Sequence, residues 1–208
     1  MNDPADATIF IVDDDPAVRD ALGVVFEMEG FRVLTFATGD AFIDVVHRED
    51  PGCVLLDVHM PGRSGIDILS ELNAEHYPAP IFIISGQGDI PMAVNAVKQG
   101  AFDFIEKPFD ADTVVGRVRD ALGAMSKGTN GGGTRDWDFP GHEHLTPRER
   151  QVLEQITSGA TNKEAGRILG ISPRTIEVHR ARIMEKLGAR NAADLVRIVL
   201  SGEQPGTA

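Results

Sequence analysis

Through about residue 125, short apolar runs alternate five times with longer stretches in which apolar residues recur every three or four positions. The first kind of segment suits a β-strand and the second puts one apolar stripe along an α-helix. Strands are predicted over 8–12, 31–36, 53–56, 80–85 and 102–105, and helices over 16–29, 40–47, 65–74, 90–99 and 112–125. In the last helix Val114, Val115, Val118, Ala121 and Leu122 supply the buried face, while Gly30 and Gly100 stand where helices should stop. Strict alternation of the two kinds predicts an α/β fold: a five-stranded, doubly wound parallel sheet with helices on both faces.

The pattern then fails. Residues 126–144, SKGTNGGGTRDWDFPGHEH, have no apolar period and three consecutive glycines, each costing about 1 kcal/mol inside a helix. This segment is predicted to be a flexible linker, with Trp137 and Phe139 as apolar exceptions suited to docking on one of the domains. Four short helices follow. Thr146-Pro147-Arg148-Glu149 and Thr161-Asn162-Lys163-Glu164 are capping boxes, Ser172-Pro173 opens a third helix to about Leu187, and Asn191 caps a fourth through Leu200. Only Gly170 to Pro173 separates the second and third, which is the spacing of a helix-turn-helix. The predicted organisation is an α/β domain at 8–125, a linker at 126–144 and a small all-α domain at 145–201.

Charge separates the same two regions. The net −12 of the 208 residues divides into −14 for residues 1–141 (10 Lys+Arg, 24 Asp+Glu) and +2 for residues 142–208 (10 against 8). Only the second half is suited to approach a polyanion. No apolar stretch reaches the roughly 18 to 20 residues of a membrane span, and the acidic start lacks the basic residues of a secretory signal, so a cytoplasmic location is expected. The only cysteine, Cys53, lies within a strand-like run and reads as a small core residue.

Candidate chemistry lies at strand ends. In a doubly wound sheet ligands bind beyond the carboxyl ends of the strands, where Asp13, Asp14 and Asp57 all fall. Clustered carboxylates repel one another unless a cation joins them, and hard oxygen ligands suit Mg²⁺ or Mn²⁺. Lys107 brings an ammonium group to the same edge and Ser85 a hydroxyl. A carboxylate nucleophile, a metal, a cation and a hydroxyl are the parts needed to accept a phosphoryl group and hold its charge. Each feature alone has an ordinary meaning, an acidic helix start or a Lys-Pro turn; their common position at sheet ends, in order, makes them a site.

In the all-α part, the helix over 172–187 is predicted to bury Ile176, Ile183 and Leu187. Arg174, Val178, Ala181, Arg182 and Glu185 then face outward, with Thr175 and Glu177 at the margins. Arg174 and Arg182 suit phosphate or guanine, Val178 and Ala181 a thymine methyl, and Lys163, Arg180, Lys186 and Arg190 phosphate. His179, near the buried edge, is assigned a structural role. The plain alternative is an amphipathic helical bundle with solvated charges.

The motifs IVDDD, LLDVHMPGRSG, IFIISG and DFIEKPF make residues 8–125 resemble the receiver domain of a two-component response regulator. The segment from Leu145 to Leu200 resembles the LuxR/NarL type of helix-turn-helix, and HMPGRSG with SPRTIEVHRARIMEKL points to the FixJ-like branch. This resemblance implies that Asp57 is the phospho-acceptor. It also implies that Asp14, Asp57 and the backbone carbonyl of His59 bind the metal, with Asp13 acting through water. By the same resemblance Ser85 and Lys107 would contact the phosphoryl oxygens and Phe104 would be the aromatic switch, without the hydroxyl of the Tyr in some members. The implied protein is a transcription factor rather than an enzyme, an activator phosphorylated by a sensor histidine kinase, dimerising on phosphorylation and binding promoter DNA, with RNA polymerase an expected partner. Two rivals remain at this point: an aspartyl-nucleophile hydrolase, disfavoured because His59 stands where those families place an acid, and a phosphate-sink receiver without DNA binding.

Overall fold

The computed structural model describes residues 7–86, 90–129, 139 and 141–201. Two compact units divide near Ser126.

The first unit alternates strand and helix: β1 Thr8–Val12, α1 Pro16–Met28, β2 Arg32–Phe36, α2 Gly39–Val46, β3 Cys53–Asp57, α3 Gly65–Glu71, β4 Ile81–Ser85, α4 Ile90–Lys98, β5 Asp103–Glu106 and α5 Ala111–Thr129. All strand pairings are parallel, in the order β2-β1-β3-β4-β5. Alternate residues of each strand serve two cores. Phe10, Val12, Val54, Leu56 and Ile83 pack with Phe42 of α2, Ile68 and Leu69 of α3 and Ala96 of α4. Ile9, Ile11, Cys53, Leu55, Phe82 and Ile84 pack with Leu22 and Phe26 of α1 and Val114, Val115 and Val118 of α5. Both faces are therefore covered, as the sequence pattern predicts. Burial in this core also pushes the Cys53 thiol well above its usual range, leaving it unreactive.

The strand order reverses between β1 and β3, and the crevice at such a switch point opens at the carboxyl ends of both strands. Gly65 lets the following loop close over that edge. A β-carbon there would lie 2.4 Å from the carbonyl oxygen of Asp57, while the Gly65 N–H bonds to the Val58 carbonyl at 3.1 Å. Two boundaries differ from the sequence expectation by more than one residue. The third helix stops at Glu71, because Asn73 adopts a left-handed conformation (φ 49°) before a short 3-10 turn at Ala74–His76. The fifth helix continues to Thr129, into the predicted linker.

The second unit holds α6 Pro147–Thr157, α7 Asn162–Leu169, α8 Pro173–Leu187 and α9 Ala192–Ser201. Both predicted capping boxes form, at Thr146/Glu149 and Thr161/Glu164. A Gly170 in the left-handed region (φ 66°) ends α7, and Ser172 caps α8 through the Thr175 N–H. Buried Phe139 meets the His142 ring edge-on at 5.9 Å, and Gly141 lies against Leu187. The chain before Leu145 thus packs with the helical unit, where the sequence pattern predicts linker. Trp137 and the three glycines lie outside the described residues. Among the described residues, no helix is long and apolar enough to cross a membrane.

Candidate phosphoryl-acceptor site and nucleic-acid interface

The turns after β1 and β3 bring the acidic groups together. Buried Asp13 and Asp57 each offer a carboxylate oxygen that lies, with one from exposed Asp14, within 4.8 Å of the others. Three hard oxygen donors in this space fit a divalent cation. Lys107, just beyond β5, reaches across β4 and places Nζ 2.7 Å from Asp13 Oδ2 and 2.9 Å from Asp57 Oδ1. Burial pushes the Asp13 carboxyl above its ordinary range, against the opposing pull of Lys107 and of the Asp15 N–H. Burial also works against the Lys107 ammonium, but its bonds to the two aspartates outweigh that and hold its pKa above the usual value.

The Asp57 carboxylate is held on its other side as well. The His59 N–H donates to Asp57 Oδ2 at 2.8 Å, leaving the His59 side chain exposed at the rim, where Nδ1 lies 3.4 Å from Ser85 Oγ. Ser85 is fully buried at the end of β4, one residue beyond Ile84, which pairs with Asp57. Phe104 on β5 is half-buried against the core on the α4 side. Two residues that sequence reasoning missed complete the frame. Arg19 Nη1 donates to the Asp13 carbonyl at 2.7 Å, and Arg117 on α5 bridges buried Asp103 and the Phe104 carbonyl at 3.3 Å each. Arg117 is distant from the acidic motifs in sequence, and Arg19, six residues after Asp13, is not at a spacing that local periodicity singles out.

In the helical unit, α8 packs against α6, α7 and α9, so a wide arc of its surface is buried. Arg174, Glu177, Ala181 and Glu185 are exposed, as is Lys163 in the first turn of α7. Val178 is not outward as predicted but buried, 8% exposed, and Thr175 is buried with its hydroxyl 2.7 Å from Ser172 Oγ. Arg182 and Lys186 also depart from the predicted open position. Their side chains are 11% and 26% exposed and lie 3.4 and 2.8 Å from the buried carboxylate of Glu149 on α6. Two cations drawn to one buried acid are occupied within the fold. Arg180 donates to Asn162 and Arg190 pairs with Asp194 at 3.2 Å.

His179 is buried, and neither ring nitrogen has a hydrogen-bond partner among the described residues. Burial, reinforced by Arg148, Arg182 and Lys186, lowers its pKa to about 3. The folded unit therefore refuses a proton that the unfolded chain accepts below about pH 6.5. Stability is full above that pH and is expected to fall by up to about 1.4 kcal/mol per pH unit down toward pH 3. His179→Leu should remove this part of the slope. Urea unfolding of the full chain, followed by the amide signals of α6–α9 between pH 7.5 and 5, measures the difference; equal slopes would contradict it.

Residues 9–119 match the response regulator receiver domain family, and residues 143–199 match the bacterial regulatory proteins of the luxR family. The chain is 40% identical over 192 residues to the transcriptional regulatory protein FixJ of Bradyrhizobium diazoefficiens, covering 92% of this chain and 94% of that one. It is 41% identical over 197 residues to FixJ of Azorhizobium caulinodans, covering 95% and 93%. The crystal structure of full-length FixJ from B. japonicum matches with a TM-score of 0.57 at 39% identity, over 94% of this chain and 97% of that one.

Proposed function

Because the chain belongs to the two-component response regulators, in the FixJ-like branch of the NarL/LuxR type, we propose that phosphorylation of Asp57 by a sensor histidine kinase drives its dimerisation and binding to promoter DNA. The observation that carries this reading is the double contact of Lys107 with Asp13 and Asp57 beside a third carboxylate, at the sheet's switch point.

An Asp57 oxygen attacks the phosphorus of the kinase phosphohistidine, the P–N bond breaks, and an acyl phosphate forms on Asp57. The half-buried Lys107 ammonium supplies fixed positive charge for the oxygens that gain charge, and Ser85 Oγ offers a hydroxyl donor at the same edge. Asp14, Asp57 and the His59 carbonyl would hold Mg²⁺ or Mn²⁺, with Asp13 acting through water; the ion supplies charge neutralisation. Since the acid is consumed rather than regenerated in that step, the chemistry is a switch and not turnover of a substrate.

The new phosphoryl group brings negative charge and acceptor oxygens that Ser85 and Lys107 can follow. Lys107 sits three residues after Phe104, and Arg117 ties that point of β5 to α5. A shift at Phe104 then alters the α4–β5 surface, through which two copies pair. Pairing doubles the contact with DNA, which one small helical domain needs for tight operator binding. Exposed Lys163 and Arg174, at the N-terminal turns of α7 and α8, are the assigned phosphate contacts, and Ala181 allows close approach to the groove. We further assign a cytoplasmic role as an activator acting on RNA polymerase.

Sedimentation velocity at micromolar concentration tests the switch. The untreated chain should run as a monomer, and beryllofluoride with Mg²⁺ should double its mass. An unchanged monomer after complete modification would contradict the proposal.

A further inference from the structure

We propose that Glu177 selects a cytosine in the major groove of the operator, an inference that rests on reading α8 as the recognition helix. The exposed residues Arg174, Glu177, Ala181 and Glu185 recur three or four positions apart and form one stripe along that helix. A carboxylate near the middle of a surface that meets DNA is repelled by the phosphates unless it finds a donor. In the major groove the base edges offer two amino donors, N4 of cytosine and N6 of adenine. They are not equivalent partners. Adenine presents its N7 lone pair beside N6, which repels the second carboxylate oxygen, whereas cytosine carries only a C–H at that place.

The side chain is also held in place. Glu177 Oε1 accepts from Asn162 Nδ2 at 3.3 Å, and Asn162 Oδ1 accepts from Arg180 Nη1 at 3.0 Å. Asn162 is the first residue of α7, so the packing of α7 against α8 fixes the carboxylate before DNA arrives. One oxygen is engaged inside the protein and the other is left for an outside donor. Ala181, one turn further on, is small enough to let the helix approach the base edges closely.

Selection from a randomised duplex library, using the full-length chain with beryllofluoride and Mg²⁺, compares the parent with Glu177→Gln and Glu177→Ala. The parent should enrich C·G at one position of each half-site, by about tenfold over other pairs. The glutamine amide offers a donor and an acceptor that match adenine, so Glu177→Gln should move that position to A·T. Glu177→Ala should make it indifferent. The rest of the site should stay the same in both variants, which also shows that they fold. Variants that enrich the parent's base at every position, or an alanine variant that only binds all sequences more tightly, would overturn the inference and leave the recognition helix intact. A parent that enriches no common sequence would overturn the recognition-helix reading itself.

Discussion

Asp57→Ala is expected to abolish phosphoryl incorporation from a phosphorylated kinase or from acetyl phosphate. Among the described residues only Asp57 combines a carboxylate on the β3 end, a lysine ammonium at 2.9 Å and a backbone N–H at 2.8 Å. Asp13 also meets Lys107, but it is the more deeply buried and accepts the Asp15 N–H, so it should not substitute. The loss should exceed a hundredfold in initial rate, since the nucleophile itself is removed. Excess chelator should suppress labelling of the parent as well, and Asp14→Ala should weaken Mg²⁺ binding more than Asp13→Ala. Radiolabel from the kinase, followed by peptide mapping of the acyl phosphate, gives the answer. Undiminished labelling of the variant at another acid would remove Asp57 from the role.

The second large effect is structural and lies in the other unit. Glu149 is fully buried, and its carboxylate accepts the Thr146 N–H at 2.9 Å while meeting Lys186 and Arg182 of α8. It thereby caps α6 and fastens α6 to α8. Glu149→Ala leaves two α8 cations facing a cavity, and breaking one side of such a buried pair costs about 3–5 kcal/mol. A domain of this size is stable by only several kcal/mol. The four C-terminal helices should therefore melt in the variant at 37 °C while the sheet domain keeps its fold. Amide signals of α6–α9 should collapse, with Asp57 still accepting phosphoryl. Cooperative unfolding of that unit within about 1 kcal/mol of the parent would contradict the structural role.

The receiver half was legible because its strands must alternate between two cores. Once 8–12 and 53–56 are parallel strands, Asp13 and Asp57 have to meet at one edge, and Lys107 at the end of a fifth strand follows. The helical half was less so. A single stripe at Ile176, Ile183 and Leu187 describes a helix packed on one side, whereas α8 has α6, α7 and α9 around it, which also buries Thr175, Val178 and His179. Arg182 and Lys186 looked like DNA contacts because they are basic and helically spaced. Their acid, Glu149, is more than 30 positions earlier, and its local pattern marks it only as a capping residue, a role it does fill. Local periodicity reports which residues share a face; it does not report how many neighbours the face has.

Control of DNA binding by Asp57 requires coupling between the two units. Anisotropy of a fluorescent duplex recovered by selection, titrated with the full chain at fixed salt, measures it directly. Beryllofluoride with Mg²⁺ should tighten binding by about tenfold, within the 5- to 150-fold range of such couplings, and Asp57→Ala should show no response. Equal affinity before and after complete modification of Asp57 would contradict the claim that this site controls DNA binding.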